Sequence, residues 1–350
     1  MKIVVDSKIP YMKGVAETLA NQVIYAEGHD FTPELVHDAD ALFVRTRTHC
    51  NSSLLKGSHV RFIATATIGY DHIDTEWCQQ AGITWTNAPG CNSGGVEQYV
   101  HSALLLLERH RAFTLRGATL GVVGVGHVGS RVARVGKELG MQVLLCDPPR
   151  AEKESGTIFS KLEDLAEQCD IITFHTPLTR GGAHPTFHLG NEAFFHSLGK
   201  CPFIINTSRG EVIDNEALLH ALNEKRVADA IVDVWENEPA INRRLLERAF
   251  VATPHIAGYS GDGKANATRM SLEAFCRFFH LPESFHIEPP APENPVIQAD
   301  TLSEALLSIY NPMEDSLRLK AHPEAFEQLR GNYSYRREAC AYTIITNRQV

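Results

Sequence analysis

The chain has 350 residues, 43% of them hydrophobic and 21% charged, with a formal net charge of -9 at pH 7. That length predicts two or three domains with ample apolar cores, and the acidic balance excludes a general nucleic-acid binder, which needs a basic surface. No apolar run reaches the roughly 18 residues of a membrane span, and the opening MKIVVDSKIPYMKG lacks a signal-peptide apolar core, so a cytoplasmic protein with no membrane partner is expected.

KIVVD, ALFVRT and FIATAT are short apolar runs separated by stretches at helical spacing, such as YMKGVAETLA. They predict a first α/β unit over residues 1–92. Val96, Tyr99, Val100, Ala103, Leu104 and Leu107 then recur at three- and four-residue steps and predict a long helix. The runs LGVVGVG, QVLLCDP, DIITFHTP, FIINTS and DAIVDVW are almost unbroken apolar stretches, the mark of parallel strands buried on both faces. Between them, SRVARVGKELG is expected to stop at Gly140, and DNEALLHALNEKR to start on Asp214 as its N-cap. A further helix is predicted over 264–280. Prolines at 282, 289, 290, 292 and 295 then mark a linker, and residues 282–350 are expected to form a small separate α+β domain. None of the eight cysteines lies in a C-x-x-C pair, so neither a zinc site nor a redox motif is expected.

Gly124, Gly126 and Gly129 form G-x-G-x-x-G directly after a strand and at the mouth of a helix. The first glycine permits the turn, the second a close approach of backbone to a pyrophosphate, and the third close packing of helix on strand. With His127 and Val128 between them, they predict a dinucleotide site. The next strand ends in Asp147, at the spacing of the acid that binds a ribose 2′-hydroxyl. NAD is therefore favoured over NADP, whose 2′-phosphate an aspartate repels, although Arg150 close by speaks for the phosphate.

Arg209 in INTSRGEVID, Glu238 in VDVWENEP and His255 in ATPHIAG each follow a predicted strand. Ligands of doubly wound folds sit at the carboxyl ends of strands, so these three can converge on one substrate. An arginine clamps a carboxylate, a histidine takes a hydroxyl proton, and a carboxylate orients the ring and stabilises its protonated form. Taken singly, each also reads as something plainer: a surface arginine, a loop acid, a satisfied core histidine. His72 and His175 read as locally packed residues.

GVVGVGHVGSRVA, INTSRGEVIDNEAL, VDVWENEP and TPHIAGYS together resemble the signature blocks of the D-isomer-specific 2-hydroxyacid dehydrogenases. The resemblance implies that Arg209, Glu238 and His255 are the catalytic triad, with His255 as acid/base. It implies two Rossmann-like doubly wound domains, a substrate domain (1–92 with 257–281) and an NAD domain (93–256), with the active site in a cleft that closes on substrate. VRTRTHCN, ATATIGYDHID, NAPGCNSGGVEQYV, LLCDPPR and NYSYRREA are similar to the branch of that family that oxidises 4-phospho-D-erythronate with NAD in pyridoxal 5′-phosphate synthesis. From that branch come the expectations that Thr46, Thr67 and Tyr259 touch substrate. Asp147, Thr176, Asp233 and Gly258 would touch NAD, helped by backbone at Thr207, Ser208 and Arg209, and the C-terminal domain would pair two subunits.

The substrate's phosphate needs a cation, for which Arg45 is the first candidate, joined across a dimer by Arg336 or Arg337. Two other readings compete. One keeps the chemistry on another 2-hydroxy acid, such as 3-phosphoglycerate; the other is a non-enzymatic NAD-sensing protein built on the same fold.

Overall fold

The computed structural model describes residues 1–156 and 158–347, which divide into two compact units. The first comprises Met1–Asn92 and Ser260–Ala291. Its strands are β1 (Lys2–Asp6), β2 (Gln22–Ala26), β3 (Ala41–Val44), β4 (Phe62–Thr65) and β5 (Thr84–Thr86), in the order β2-β1-β3-β4-β5, all parallel. β3 and β4 are buried along their whole length, which is why their sequences are uninterrupted apolar runs rather than alternating ones. The helix Gly261–Phe279 covers one face of this sheet. Phe275 packs on Phe43 and Phe62 with ring centroids 5.2 and 6.1 Å apart. This helix starts three residues before the predicted 264, because the Ser260 hydroxyl accepts from Gly263 N at 2.9 Å and caps it. Gly263 also lies so close to Asn92 that an added Cβ would stand 3.1 Å from Asn92 Cα. A glycine that reads as loop is here demanded by packing.

The second unit comprises Ser93–Tyr259 and Pro292–Val350. Its main sheet contains β6 (Thr119–Val123), β7 (Gln142–Cys146), β8 (Ile171–Phe174), β9 (Phe203–Asn206), β10 (Asp229–Val232) and β11 (Val251–Ala252). The order is β11-β10-β9-β8-β6-β7, again all parallel. β7 and β8 flank β6 on opposite sides, so the connections diverge beyond its carboxyl end, where such folds bind ligands. The register is what positions the site. Cys146, Val123, Phe174, Asn206, Val232 and Ala252 lie in one row across all six strands. The residues that follow them must therefore emerge along a single edge: Asp147, Gly124, His175–Thr176, Thr207, Asp233 and Thr253–His255.

Of the residues expected to form a C-terminal domain, 282–291 group with the first unit and 292–347 with the second. The latter add β12 (Val296–Ala299), paired in parallel with β13 (Thr343–Thr346), and the helices Leu302–Ile309, Pro312–Ala321 and Phe326–Gly331. So short a segment has too little apolar surface for a core of its own; it buries some of its large side chains in the second unit and leaves others, among them Val296, Leu317 and Ile345, exposed. Leu319 and Phe326 join the cluster of Ile172, Val232 and Trp235, while Leu307 and Tyr310 join that of Tyr99, Val122 and Ile205. The helix Pro312–Ala321 lies along the edge strand β11, where the Ser316 hydroxyl accepts from Ala252 N at 2.9 Å. An edge that would otherwise be open is thereby closed.

Arg336 makes the tightest attachment. Its guanidinium donates to the carbonyl oxygens of Gly95 (3.0 Å), Ile256 (3.2 Å), Ala257 (2.6 Å) and Tyr259 (2.9 Å) and to Gln98 Oε1 (3.0 Å). It also stacks on Tyr310, 3.8 Å from the ring centroid. Removing it strands several buried acceptors, each worth about 1–3 kcal/mol when left unpaired. Arg336→Ala should lower the thermal midpoint by several degrees, measured by circular dichroism; an unchanged melting curve would mean that the segment is not held this way.

Candidate active site

β6 ends at Val123 and the chain turns at Gly124, which has φ 84°. A Cβ there would stand 2.8 Å from Thr176 Cγ2 and 2.9 Å from the His175 carbonyl carbon. At Gly129 a Cβ would lie 1.9 Å from the Gly124 carbonyl oxygen, so helix and turn touch backbone to backbone. Around Gly126, by contrast, nothing beyond the adjoining chain lies within 4 Å of where a Cβ would be. Gly126 is also the N-cap of the helix His127–Glu138, which has no side-chain cap. Its first N–H groups, at His127, Val128 and Gly129, have no intrahelical acceptor and stand over open floor, a fit for an anion. Thr176 adds a second sign: its hydroxyl oxygen is buried with no hydrogen-bond partner.

Asp147 stands at the end of β7, where its Oδ2 accepts from Val125 N at 2.8 Å and its Oδ1 from Arg150 N at 3.1 Å. The Arg150 side chain donates to the Val125 carbonyl oxygen and pairs with Glu154 at 2.7 Å. The cation that spoke for NADP is thus held by internal partners. These residues fit NAD.

Asp233, directly after β10, is 1% exposed. Its Oδ1 accepts from the Thr253 hydroxyl at 2.6 Å and from Ile256 N at 2.8 Å, and its Oδ2 from Ala257 N at 3.0 Å. His255 N donates to the Asp233 carbonyl oxygen at 2.8 Å. Burial pushes the Asp233 carboxyl up; the charge of His255, the Thr253 hydroxyl and the two N–H groups pull it back without cancelling the rise. The expectation that Asp233 reaches the cofactor meets a side chain already engaged in holding the 253–257 turn.

That turn places His255 in the left-handed region, φ 58°, which histidine tolerates better than most residues. Its Nδ1 lies 2.9 Å from Glu238 Oε2 and 3.1 Å from Oε1. Glu238 Oε1 also accepts from Trp235 N at 2.9 Å. Burial pushes the Glu238 carboxyl up, but the hydrogen bond and charge of His255, the Trp235 N–H and nearby Arg330 outweigh it and hold it below the usual carboxylate range. With Nδ1–H donating to a carboxylate, Nε2 is the acceptor nitrogen of the neutral ring. It is the atom that can take a proton.

Arg209 follows β9 on the same edge and is partly buried. Asn206 Nδ2 donates to the Arg209 carbonyl oxygen at 3.0 Å, and Asn206 Oδ1 accepts from Ser208 N at 3.1 Å. Gly210 seats this loop against the Trp235–Glu236 backbone, since a Cβ there would fall 1.9 Å from Trp235 O. The Ser208 hydroxyl donates to Asn206 Oδ1 (2.8 Å) and Thr207 Oγ1 meets His175 Nδ1 (3.2 Å), so both serve the loop itself. Burial pushes His175 down to about 3, and its Nε2 lies 2.9 Å from Thr173 Oγ1; it is a packed neutral residue, as its sequence context predicted.

One charged residue of this site escaped the sequence. Arg330, on the helix Phe326–Gly331, places Nη1 3.4 Å from Glu238 Oε2 and Nε 3.4 Å from the Tyr259 hydroxyl. Its only signal was proximity to the NYSYRREA block. Tyr333 and Tyr335 stand edge-on to Tyr259, with centroids 6.1 and 6.4 Å away. Gly258, beside Tyr259, is partly buried. Arg336 is not free to meet a substrate phosphate, because the carbonyl oxygens named above occupy it. A cavity of about 800 Å³ opens behind Pro254 and Ile256 toward Asp315 and Tyr333, but none of Arg209, Glu238 and His255 lines it.

In the first unit, Arg45 and Thr46 follow β3 and Thr67 follows β4, whose Thr65 is in register with Val44. Arg45 Nη1 donates to the Lys8 carbonyl oxygen at 3.3 Å, Thr46 is exposed, and Thr67 Oγ1 donates to the Gly69 carbonyl oxygen at 2.8 Å. His72 Nε2 lies 2.9 Å from Thr65 Oγ1 in the same unit and is buried there. Among the described residues no group of three His, Cys, Asp or Glu is placed to hold a metal ion, and no helix is long and apolar enough to cross a membrane.

Residues 97–257 match the family model for the D-isomer specific 2-hydroxyacid dehydrogenase, NAD binding domain. Over 345 residues, 99% of both chains, the protein is 60% identical to an erythronate-4-phosphate dehydrogenase of Bacteroides thetaiotaomicron. It is 43% identical to that of Porphyromonas gingivalis, over 99% of this chain and 95% of the other. Among solved structures, NAD+-bound 3-phosphoglycerate dehydrogenase of Entamoeba histolytica is 28% identical with a TM-score of 0.65, covering 82% of this chain and 98% of that one. D-2-hydroxyisocaproate dehydrogenase is 25% identical with a TM-score of 0.67, covering 80% and 97%.

The glycine turn makes the cofactor site testable. Gly129→Ala should weaken NADH binding by about tenfold or more, each tenfold being about 1.4 kcal/mol, as followed by quenching of protein fluorescence. Affinity equal to that of the unaltered chain would mean that nothing binds over this helix start.

Proposed function

Because the chain belongs to the erythronate-4-phosphate dehydrogenases, a branch of the D-isomer specific 2-hydroxyacid dehydrogenases, we propose that it oxidises 4-phospho-D-erythronate at C2 to (R)-3-hydroxy-2-oxo-4-phosphooxybutanoate, a step toward pyridoxal 5′-phosphate. NAD is its cofactor and, when bound, accepts the hydride that leaves C2. The observation that carries the mechanism is the His255–Glu238 pair, standing on the same sheet edge as Gly124, Thr176 and Arg209.

Arg209 holds the substrate carboxylate and the neighbouring oxygen through its planar fork. His255 Nε2 takes the C2 hydroxyl proton. Glu238 keeps that ring in the required tautomer and offsets the charge it acquires. Asp233 holds the turn, so the ring need not be ordered when substrate arrives. Gly126 would leave room for the pyrophosphate, His127, Val128 and Gly129 would offer it their N–H groups, and Asp147 and Thr176 would make polar contacts to the rest of the cofactor, with Gly258 and the backbone at Thr207–Arg209 beside them. Tyr259 and, in the first unit, Thr46 and Thr67 are proposed substrate residues on the resemblance, and Arg45 on the phosphate's need for a cation. The same reading makes the enzyme a cytoplasmic homodimer, which sedimentation velocity would check.

The test is NADH formation from 4-phospho-D-erythronate, D-erythronate, 3-phospho-D-glycerate and D-lactate, with a 2-oxoacid trap in parallel. Preference for the first is expected. Preference for another acid would overturn the substrate, and no turnover despite NADH binding would overturn the activity. His255→Asn should lower kcat about a hundredfold to ten-thousandfold, the usual worth of a general base, with NADH affinity kept. Glu238→Gln removes a negative charge from the imidazolium, so the acid limb of the kcat/KM profile should move to lower pH. An acid limb that stays in place would separate Glu238 from the proton-transfer step.

A further inference from the structure

Arg330 is held by neither the glycine turn nor the three strand ends, yet its guanidinium reaches two of the groups just assigned to catalysis and substrate. Glu238 Oε2 is shared: His255 Nδ1 lies 2.9 Å from it and Arg330 Nη1 3.4 Å. The Tyr259 hydroxyl lies 3.4 Å from Arg330 Nε. We propose that Arg330, delivered by the C-terminal segment, is a positioning residue that ties Glu238 to Tyr259 and sets the pH at which His255 can act as a base. This rests on the activity proposed above.

Both Arg330 distances are at the long end for hydrogen bonds, so directional bonding contributes little. Coulomb interaction decays far more gently and remains sizeable at this range in a partly buried site. The Arg330 side chain is 28% exposed and that of Glu238 16%, so water screens the pair only in part. A fixed cation there opposes protonation of Glu238 and disfavours a second positive charge on the adjoining ring. Glu238 favours that charge, and Arg330 limits how far.

Other charged and titratable groups of the described residues stand around the pair. Asp233 faces His255 from β10 and is bound to the Thr253 hydroxyl and two N–H groups. Glu236, next on the Glu238 loop, is bound to His188 at 2.7 Å and to Asn215 N at 2.9 Å. Asp315 meets the Tyr310 and Tyr333 hydroxyls at 3.3 and 3.1 Å, and Arg336 is bound to carbonyl oxygens. Arg209 lies on the 206–210 loop, and Glu327 lies on Arg330's own helix and acts on it electrostatically. Of the hydrogen bonds to Glu238, those from His255 and Arg330 come from titratable side chains, and only Arg330 is a permanent cation.

The test compares the full-length holoenzyme with Arg330→Gln, Arg330→Met and Arg330→Lys. It reads kcat and KM against pH on 4-phospho-D-erythronate, and separately the titration of the His255 ring by NMR, identified by its loss in His255→Asn. The neutral variants should move the acid limb of kcat/KM, and the ring's titration midpoint, upward by about half to one unit, the size of one partly screened charge. This is opposite in sign to Glu238→Gln. Arg330→Lys keeps the charge and should restore the profile while raising KM, because it loses the fork that reaches Tyr259. A neutral variant whose profile overlays the unaltered enzyme, or whose kcat falls equally at every pH, overturns the proposal. Arg330→Met retains length and apolar packing, so it decides the matter if Arg330→Gln does not fold. The NMR midpoint stands even if 4-phospho-D-erythronate is not turned over, which separates failure of this inference from failure of the substrate reading.

Discussion

The candidate site depends on one buried carboxylate. Asp233 sits at the end of β10 with its oxygens facing the turn that begins at Thr253, and it accepts from one hydroxyl and two N–H groups of that turn. A carboxylate this buried is costly unless its oxygens are hydrogen-bonded, so sheet and turn stabilise each other or neither persists. The geometry of His255 follows from the bargain: its own N–H points back to the Asp233 carbonyl oxygen, its φ is forced positive, and its ring comes out beside Glu238. Tyr99 and Trp235 complete the clamp, the first through the Thr253 hydroxyl at 2.8 Å and the second through the Thr253 carbonyl oxygen at 3.0 Å. Hydrophobic packing and the geometry of the candidate site meet at one residue.

The C-terminal segment extends that logic. Leu307, Tyr310, Leu319 and Phe326 enter the cores of the second unit, and the helix that carries Leu319 also closes the edge at β11. Arg336 then reads the shape of the 256–259 turn through its carbonyl oxygens, while Arg330 reaches Glu238 and Tyr259. A segment that looks like an appendage in the sequence thus bears on both sides of the histidine: the backbone behind it and the carboxylate in front of it.

How much of this was legible in the sequence depends on range. The glycine turn, Asp147 and the strand ends bearing Arg209, Glu238 and His255 are local patterns, each written in a dozen residues whose steric and dipolar demands are specific. Arg330 meets Glu238 across 92 residues and Arg336 meets Gly95 across 241, and no local pattern encodes such a meeting. The start of the helix at Gly261 is hidden because glycine normally argues against a helix; the Ser260 cap sets it, and the packed neighbour at Asn92 explains the glycine at 263. Asp233 was legible as a strand-end acid, but whether such an acid faces a ligand or the chain's own turn is decided by hydrogen bonds that the sequence does not display.

The central claim is that hydride leaves C2 of a phosphorylated hydroxy acid for the cofactor while the hydroxyl proton goes to His255. The most direct measurement is transfer of deuterium from C2-deuterated 4-phospho-D-erythronate, read by mass spectrometry of the reduced cofactor. The account predicts that the label appears on the cofactor, with none released to water. Deuterium in the solvent, or a reduced cofactor without label, would contradict it.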